Sequence, residues 1–453
     1  MLKKTLQQEL DPNYRNKCFE EVSLGYTKEE AMKEASRCLS CKNEPCRQGC
    51  PVNVPIKEFI SQIKNDNVDE AYNVIAREHL FPSICGRVCP QERQCESKCV
   101  RGIKGEAVSI GLLERFVGDH AKRNTEYNIT KNGHKVAVVG SGPAGISCAV
   151  DLALAGFDVT IFEALHELGG VLAYGIPEFR LPKSLLKENF DILNKLGVKV
   201  ETNVVIGKSA TIDDLKLEGF DAQFIATGAG LPRPMGIPGE NFNGVMYANG
   251  FLTRVNLMKG YKFPEYDTPI SVPKNVAVVG AGNVAMDAAR TAKRLGAENV
   301  YIVYRRGEEE IPARLAEVHH AKEEGIVFKL LTNPVEVIGE DFNTVGLKCE
   351  IMELGEPDQS GRRSPIGTGK YITLDVEMVI PAIGQTSNPT VFEGGEKIER
   401  SRRGTIIVNN ETQETSLENV YAGGDIVTGA ATVILAMGSG RLAAKAIKEK
   451  LLK

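Results

Sequence analysis

Apolar runs in this 453-residue sequence are short. None approaches the roughly 18 apolar residues that a helix needs to cross a bilayer. Charge of one sign is missing too: the net charge is −4, which gives no reason to expect a nucleic acid or an anionic membrane as partner. The N-terminal MLKKTLQQELDPNYR has basic residues but no apolar segment behind them, so a secretory signal is not expected. Short-period repeats and low-complexity tracts are absent. With 42% hydrophobic and 25% charged residues, the chain reads as globular, and its length suits two to four domains. A cytoplasmic location is expected, where structural disulfides are rare and clustered thiols hold metal or do redox work.

Cysteine is scarce along most of the chain, and that scarcity makes one region stand out. Of eleven cysteines, Cys18 comes first, Cys148 and Cys349 are isolated, and the other eight fall between Cys38 and Cys99. The first group, CLSCKNEPCRQGCP, has the spacing C-x2-C-x4-C-x3-C-P through Cys38, Cys41, Cys46 and Cys50. It is close to the bacterial ferredoxin run, in which three thiolates wrap one cubane and the Cys-Pro step sends the fourth to another cluster. The second group, CGRVCPQERQCESKC, supplies Cys85, Cys89, Cys95 and Cys99. Eight thiols are the number that two [4Fe–4S] clusters require. Zinc fits the spacing less well, because only Cys38 and Cys41 form a typical pair. A disulfide set conflicts with the expected compartment.

Around these groups, Ile56, Phe59, Ile60 and Ile63 mark one helical face, and Val68, Ala71, Tyr72 and Ile75 another. A third helix is predicted from about Gly111 to Arg123, with a polar linker over 122–134. Beyond it, short β-branched runs alternate with amphipathic segments, as in parallel α/β units.

Two glycine turns punctuate that region. GSGPAG follows the strand KVAVV and opens a helix, and Glu163 ends the next strand about 20 residues on, as in a dinucleotide fold. Gly140 permits the tight turn, Gly142 lets backbone approach a pyrophosphate, and Gly145 allows close helix–strand packing. Pro143 and Ala144 start a helix whose positive end faces the phosphates. Glu163 is placed to accept from an adenosine ribose. The second turn, GAGNVA, carries Gly280, Gly282, Asn283 and Val284, with Asp287 one helical turn on. Its following strand ends in Arg305 and Arg306 instead of an acid, which favours the 2′-phosphate of NADPH. A bare glycine turn, or a solvated basic pair, is the plain alternative in each case. Late in the chain, ENVYAGGD precedes a helix predicted from about Ala431. There Gly424, Asp425 and Thr432 form a third ligand-facing turn, suited to a flavin's ribityl or phosphate groups.

Taken together, RCLSCKNEPCRQGCPVNVPI, CGRVCPQERQCESKC, IGLLERF, ELGGVLAYGIPEFRLPK, GAGNVAMDAARTAKRLGA, YRRGEEEIPA, AIGQTSNP and YAGGDIVTGA resemble one family. It is that of the glutamate synthase NADPH small (beta) subunit. The same module occurs in the large subunit of electron-bifurcating ferredoxin:NADP oxidoreductase and in the N-terminal part of dihydropyrimidine dehydrogenase. The resemblance covers nearly all of residues 18–450. It implies an α/β protein: a helical N-terminal iron–sulfur domain, then two Rossmann-like domains, the NADPH domain inserted in a split FAD domain. The expected boundaries are 1–130 (clusters), 131–246 (FAD, first part), 247–379 (NADPH) and 380–453 (FAD, second part).

The resemblance also implies ligand sets. Cys38, Cys41, Cys46 and Cys99 would hold the first cluster; Cys50, Cys89, Cys95 and Glu114, on the IGLLERF helix, would hold the second. Counting thiols gives the last place to Cys85. The resemblance gives it to Glu114 and is preferred here. Gly169, Gly170 and Leu172 would lie along the flavin. Where the family often has methionine before Pro-Ala, this chain has Ile311, a change expected to be harmless.

The function so implied is electron input: NADPH reduces FAD, and the clusters carry electrons to another chain. No protein acid or base is nominated. No amidotransferase nucleophile or FMN barrel is recognisable, so the partner would be a glutamate synthase large subunit or a ferredoxin-linked chain. A stand-alone disulfide reductase is disfavoured, since the nucleotide domains hold no C-x-x-C. A non-catalytic metal- and nucleotide-binding module is the remaining reading.

Overall fold

The apolar strand Lys135–Val139 lies at the centre of a five-stranded, wholly parallel sheet. A computed structural model describes residues 3–122, 127–358, 361 and 363–453. Across this sheet the order is Val420–Ala422, Ala222–Ile225, Lys135–Val139, Asp158–Glu163 and Lys199–Thr202. Val136, Val138 and Ile161 pack into one apolar core, while Ala137, Val139 and Ile225 pack into another. Coverage on two faces is why the strands read as continuous apolar runs rather than alternating ones.

One edge strand, Val420–Ala422, comes from the far end of the chain. Between it and the rest lies a second parallel sheet, ordered Val327–Lys329, Asn299–Val303, Asn275–Val279 and Met378–Pro381. One nucleotide-binding unit is thus threaded into another, the α/β architecture expected from the sequence. The final helix, Val433–Leu451, closes the outer unit against the helix Pro143–Leu154. Their contact is close enough that a Cβ at Gly440 would lie 2.2 Å from the Ala144 carbonyl oxygen.

The N-terminal region is mainly helical. Ile56–Lys64 buries Ile56, Phe59, Ile60 and Ile63; Val68–Ala76 buries Ala71, Val74 and Ile75. The third predicted helix runs Ile110–His120, and Arg123 lies outside the described residues. The region is not entirely helical: Gln8–Glu9 pairs antiparallel with Ser23–Gly25.

Alternation of strand and helix also breaks down late in the inserted unit. Thr332–Glu340, Asn343–Pro357 and Arg363–Leu374 form an antiparallel meander. Asp341 and Phe342 both take positive φ, 49° and 61°, as a two-residue hairpin turn requires. Neither residue is glycine, so the usual turn signal is missing from the sequence.

Candidate functional site

Four thiols of the N-terminal region line one cavity. Cys38, Cys41, Cys46 and Cys99 share it with Ile56, Ile60, Val108 and Ile110. The segment between Cys50 and Cys99, which contains the helices Ile56–Lys64, Val68–Ala76 and Pro82–Val88, returns Cys99 to the first group. Burial pushes the Cys46 thiol up to about 11, and the charges of Cys38 and Cys99 add to that.

A second group lies beside it. Burial raises Cys95 well above the ordinary thiol value, and Glu96, Glu114, Cys50 and Cys89 push the same way. Burial likewise raises Cys50 to about 11, with Glu114 and Cys89 among its neighbours. All eleven cysteines are free of disulfides. Sets of buried thiols that raise one another are poor nucleophiles, and only a bound cation would offset their mutual repulsion as thiolates. This donor chemistry fits two iron–sulfur clusters.

Cys85 and Glu114 both reach the second group. Cys85 is fully buried, interacts with Cys89, and its Sγ lies 3.7 Å from the Met437 Sδ on the final helix. Glu114 is 9% exposed, on a helix that also buries Leu113, Phe116, Val117 and the charged Arg115. Beside both is His79, which sequence reasoning did not single out; ligand atoms of His79, Cys85 and Glu114 lie within 4.8 Å of one another. A lone histidine in REHLFPSICG carries no spacing signal.

At the first glycine turn, Gly140 has φ 102°, and a Cβ there would meet the Ala226 carbonyl oxygen at 2.5 Å. A Cβ on Gly145 would meet the Gly140 oxygen at 1.9 Å, whereas Gly142, the N-cap of helix Pro143–Leu154, faces open space. That combination leaves room for a phosphate at the helix N-terminus. Glu163 sits against the turn. It accepts from the Ser141 N–H at 2.8 Å, the Ser141 hydroxyl at 2.6 Å and the Leu165 N–H at 2.8 Å.

Two further segments converge there. Gly169 donates to the Ser141 carbonyl, a Gly170 Cβ would lie 2.9 Å from the Gly142 Cα, and Leu172 is buried just beyond. From the other side, a Cβ on Gly424 would lie 3.0 Å from the Ala144 Cβ. Asp425 opens a short helix, Asp425–Thr428, and Thr432 caps the long one by accepting from the Leu435 N–H at 3.4 Å. The long helix therefore starts slightly later than the sequence suggests. Burial lifts the Asp425 carboxyl to about 6, against a hydrogen bond from the Ala431 N–H.

The second turn repeats the plan. Gly280 has φ 126° and abuts the Ala382 carbonyl, and Gly282 is open at the N-cap of helix Asn283–Arg294. Val284 is partly exposed, and Asn283 accepts from the Arg314 N–H at 2.9 Å. Arg305 is exposed. Arg306 is buried and donates through Nε to the Arg363 carbonyl at 3.1 Å. Asp287 is also buried, and both its oxygens are taken by Arg180. Ile311 joins the core of this unit.

Residues 134–449 match the pyridine nucleotide-disulphide oxidoreductase family, and residues 15–126 match dihydropyrimidine dehydrogenase domain II, 4Fe-4S cluster. The glutamate synthase [NADPH] small chain of Escherichia coli is 34% identical over 440 residues, 95% of this chain and 93% of the relative. The chain belongs to this family. It is an NADPH-dependent oxidoreductase of the FAD-, NADPH- and 4Fe–4S-containing type. The beta subunit of the NADP(+)-dependent formate dehydrogenase of Moorella thermoacetica is 39% identical over 435 residues, 90% of this chain but only 60% of that relative. Mycobacterium tuberculosis FprA in complex with NADPH shares the fold, with TM-score 0.60 and 21% identity over 70% of this chain and 84% of that one. No helix among the described residues is long and apolar enough to cross a membrane.

Proposed function

We propose that the chain is the electron-input subunit of a glutamate synthase, oxidising NADPH and delivering electrons to a large subunit that forms glutamate from glutamine and 2-oxoglutarate. One observation carries the reading: the likeness spans 93% of the length of the E. coli small chain and 94% of the Halomonas elongata one. FAD would lie on the GSGPAG turn, between Gly169–Leu172 and Gly424–Thr432, with Glu163 beneath the adenosine end. NADPH would lie on GAGNVA, its 2′-phosphate read by Arg305. Bound FAD supplies hydride acceptance and single-electron release. The protein's part is to hold both nucleotides at open helix N-termini and to keep the clusters in the two thiol-rich groups of the N-terminal region. The domain limits given above and a cytoplasmic location belong to the same reading.

The test is reconstitution. The purified chain should reduce ferricyanide with NADPH, and should support glutamate formation only when a glutamate synthase large subunit is added. The 39% identity to the formate dehydrogenase beta subunit favours a second reading, in which another NADP-linked partner, ferredoxin-linked or otherwise, exchanges electrons with the same module. Capture of such a partner, with no coupling to a large subunit, would select it.

A further inference from the structure

We propose that His79 positions the Glu114 carboxylate as the oxygen ligand of the second cluster. The proposal rests on the assignment of Glu114 given above. His79 follows the helix Val68–Ala76 and has no exposed side-chain surface. Its Nδ1 takes the Phe81 N–H at 3.3 Å, so a neutral ring carries its hydrogen on Nε2. That Nε2 lies 2.8 Å from the Glu114 Oε1. The pair is in contact without a well-aligned hydrogen bond, which leaves Nε2 as a buried polar atom short of a partner.

The neighbours give this contact its sense. Glu114 faces Cys50 and Cys95, whose thiols feel its charge. A carboxylate among thiolates needs the iron on one side and a donor on the other. His79 is placed to be that donor, fixing which oxygen turns to the metal. Such outer partners orient a ligand and temper its basicity. A hydrogen bond from Nε2, formed once the carboxylate turns to the iron, would draw density from it, weaken its donation and ease reduction of that one cluster.

The anaerobically prepared full-length chain tests this through the EPR signal and midpoint potential of each cluster. His79→Phe should change the signal of one cluster and lower its potential, leaving the other as in the parent. His79→Gln, which can still donate, should restore most of both properties. In a Glu114→Cys background a thiolate replaces the carboxylate, and His79→Phe should add no further shift. Unchanged signals and potentials in His79→Phe would overturn the proposal, as would an equal effect with and without Glu114. Should His79→Phe fail to assemble the cluster, His79→Gln decides: an intact signal supports the role and a lost one defeats it. If Glu114→Cys alone leaves both signals as in the parent, the ligand assignment is at fault, and the proposal falls with it.

Discussion

Arg180 Nη1 lies 2.7 and 2.6 Å from the two carboxylate oxygens of Asp287, and both side chains are buried. Arg180 belongs to the EFRLPK stretch beside the first nucleotide turn, and Asp287 to the helix that follows the second. The pair therefore ties the outer unit to the inserted one. Around it, Arg180 also meets Glu317, and Arg290 meets Glu317 and Glu324. Removing one member of such a pair strands the other charge in the interior. Asp287→Ala is expected to destabilise the protein by about 3–5 kcal/mol. Replacing both partners, in Arg180→Met with Asp287→Leu, should cost less than the single change. The ranking of thermal unfolding midpoints checks this.

Acid should weaken the same network. Burial alone would raise the Glu317 carboxyl, but Arg180, Arg290, Arg314 and His320 outweigh it and hold it down at about 2. A carboxyl lowered on folding contributes stability above its unfolded value, near 4.5, and loses that contribution as pH falls toward 2. Asp287, lifted to about 6 chiefly by burial, works in the opposite sense. The Glu317 share is therefore read as the difference between parent and Glu317→Gln at each pH. Denaturant midpoints from pH 6 to pH 3 should fall more steeply in the parent.

Much of this molecule was legible because its signals are local. Gly140, Gly145 and Gly280 sit where a Cβ would strike backbone, so the residue type itself reports the turn. Cys-Pro steps and apolar helical faces are local in the same way. What escaped notice depends on distant partners. Asp287 looks like a turn residue until Arg180, from another unit, is seen to occupy both its oxygens. His79 is silent until helix packing brings Glu114 beside it. The antiparallel meander was missed because Asp341 and Phe342 make a left-handed turn without glycine.

Cluster content distinguishes the two ways of counting ligands. Iron and sulfide should each be found at about eight per chain, as two cubanes require. Glu114→Ala should alter only one EPR signal. Cys85→Ser should alter neither if Glu114, and not Cys85, completes the second set. A cluster lost in Cys85→Ser would restore the all-cysteine set.

Cofactor preference should divide unequally between the two arginines. Arg305 is exposed, whereas Arg306 is buried with Nε engaged by the Arg363 carbonyl. Losing one charge-assisted contact to a phosphate removes roughly 1.5–3 kcal/mol, or about ten- to hundredfold in preference. Arg305→Ala should therefore lower NADPH-over-NADH selectivity in dye reduction by that factor. Arg306→Ala should lower the melting temperature as well. Undiminished selectivity in the double variant would mean that other residues read the phosphate.

On the proposed reading, electrons reach the partner through the N-terminal region, and the structure indicates how to cut that route. Deleting that region would be a poor test. Phe81, Ile84, Cys85 and Val88 share one apolar core with Val136, Val138 and Phe224 of the first sheet. Removing them would open that core to water. A single change at an expected ligand is cleaner: Cys41 is only partly buried, and Leu39 and Val100, exposed apolar residues, line the same cavity. An electron leaving for another protein needs a cofactor near a contact surface, and here exposed Leu39 and Val100 border the thiols. Cys41→Ser is therefore expected to leave NADPH-driven reduction of small dyes within about twofold of the parent, since dyes take electrons from the flavin directly. Turnover that depends on the partner chain should disappear. If partner-dependent glutamate formation persists at the parental rate in Cys41→Ser after loss of the first cluster's EPR signal, electrons leave by another path.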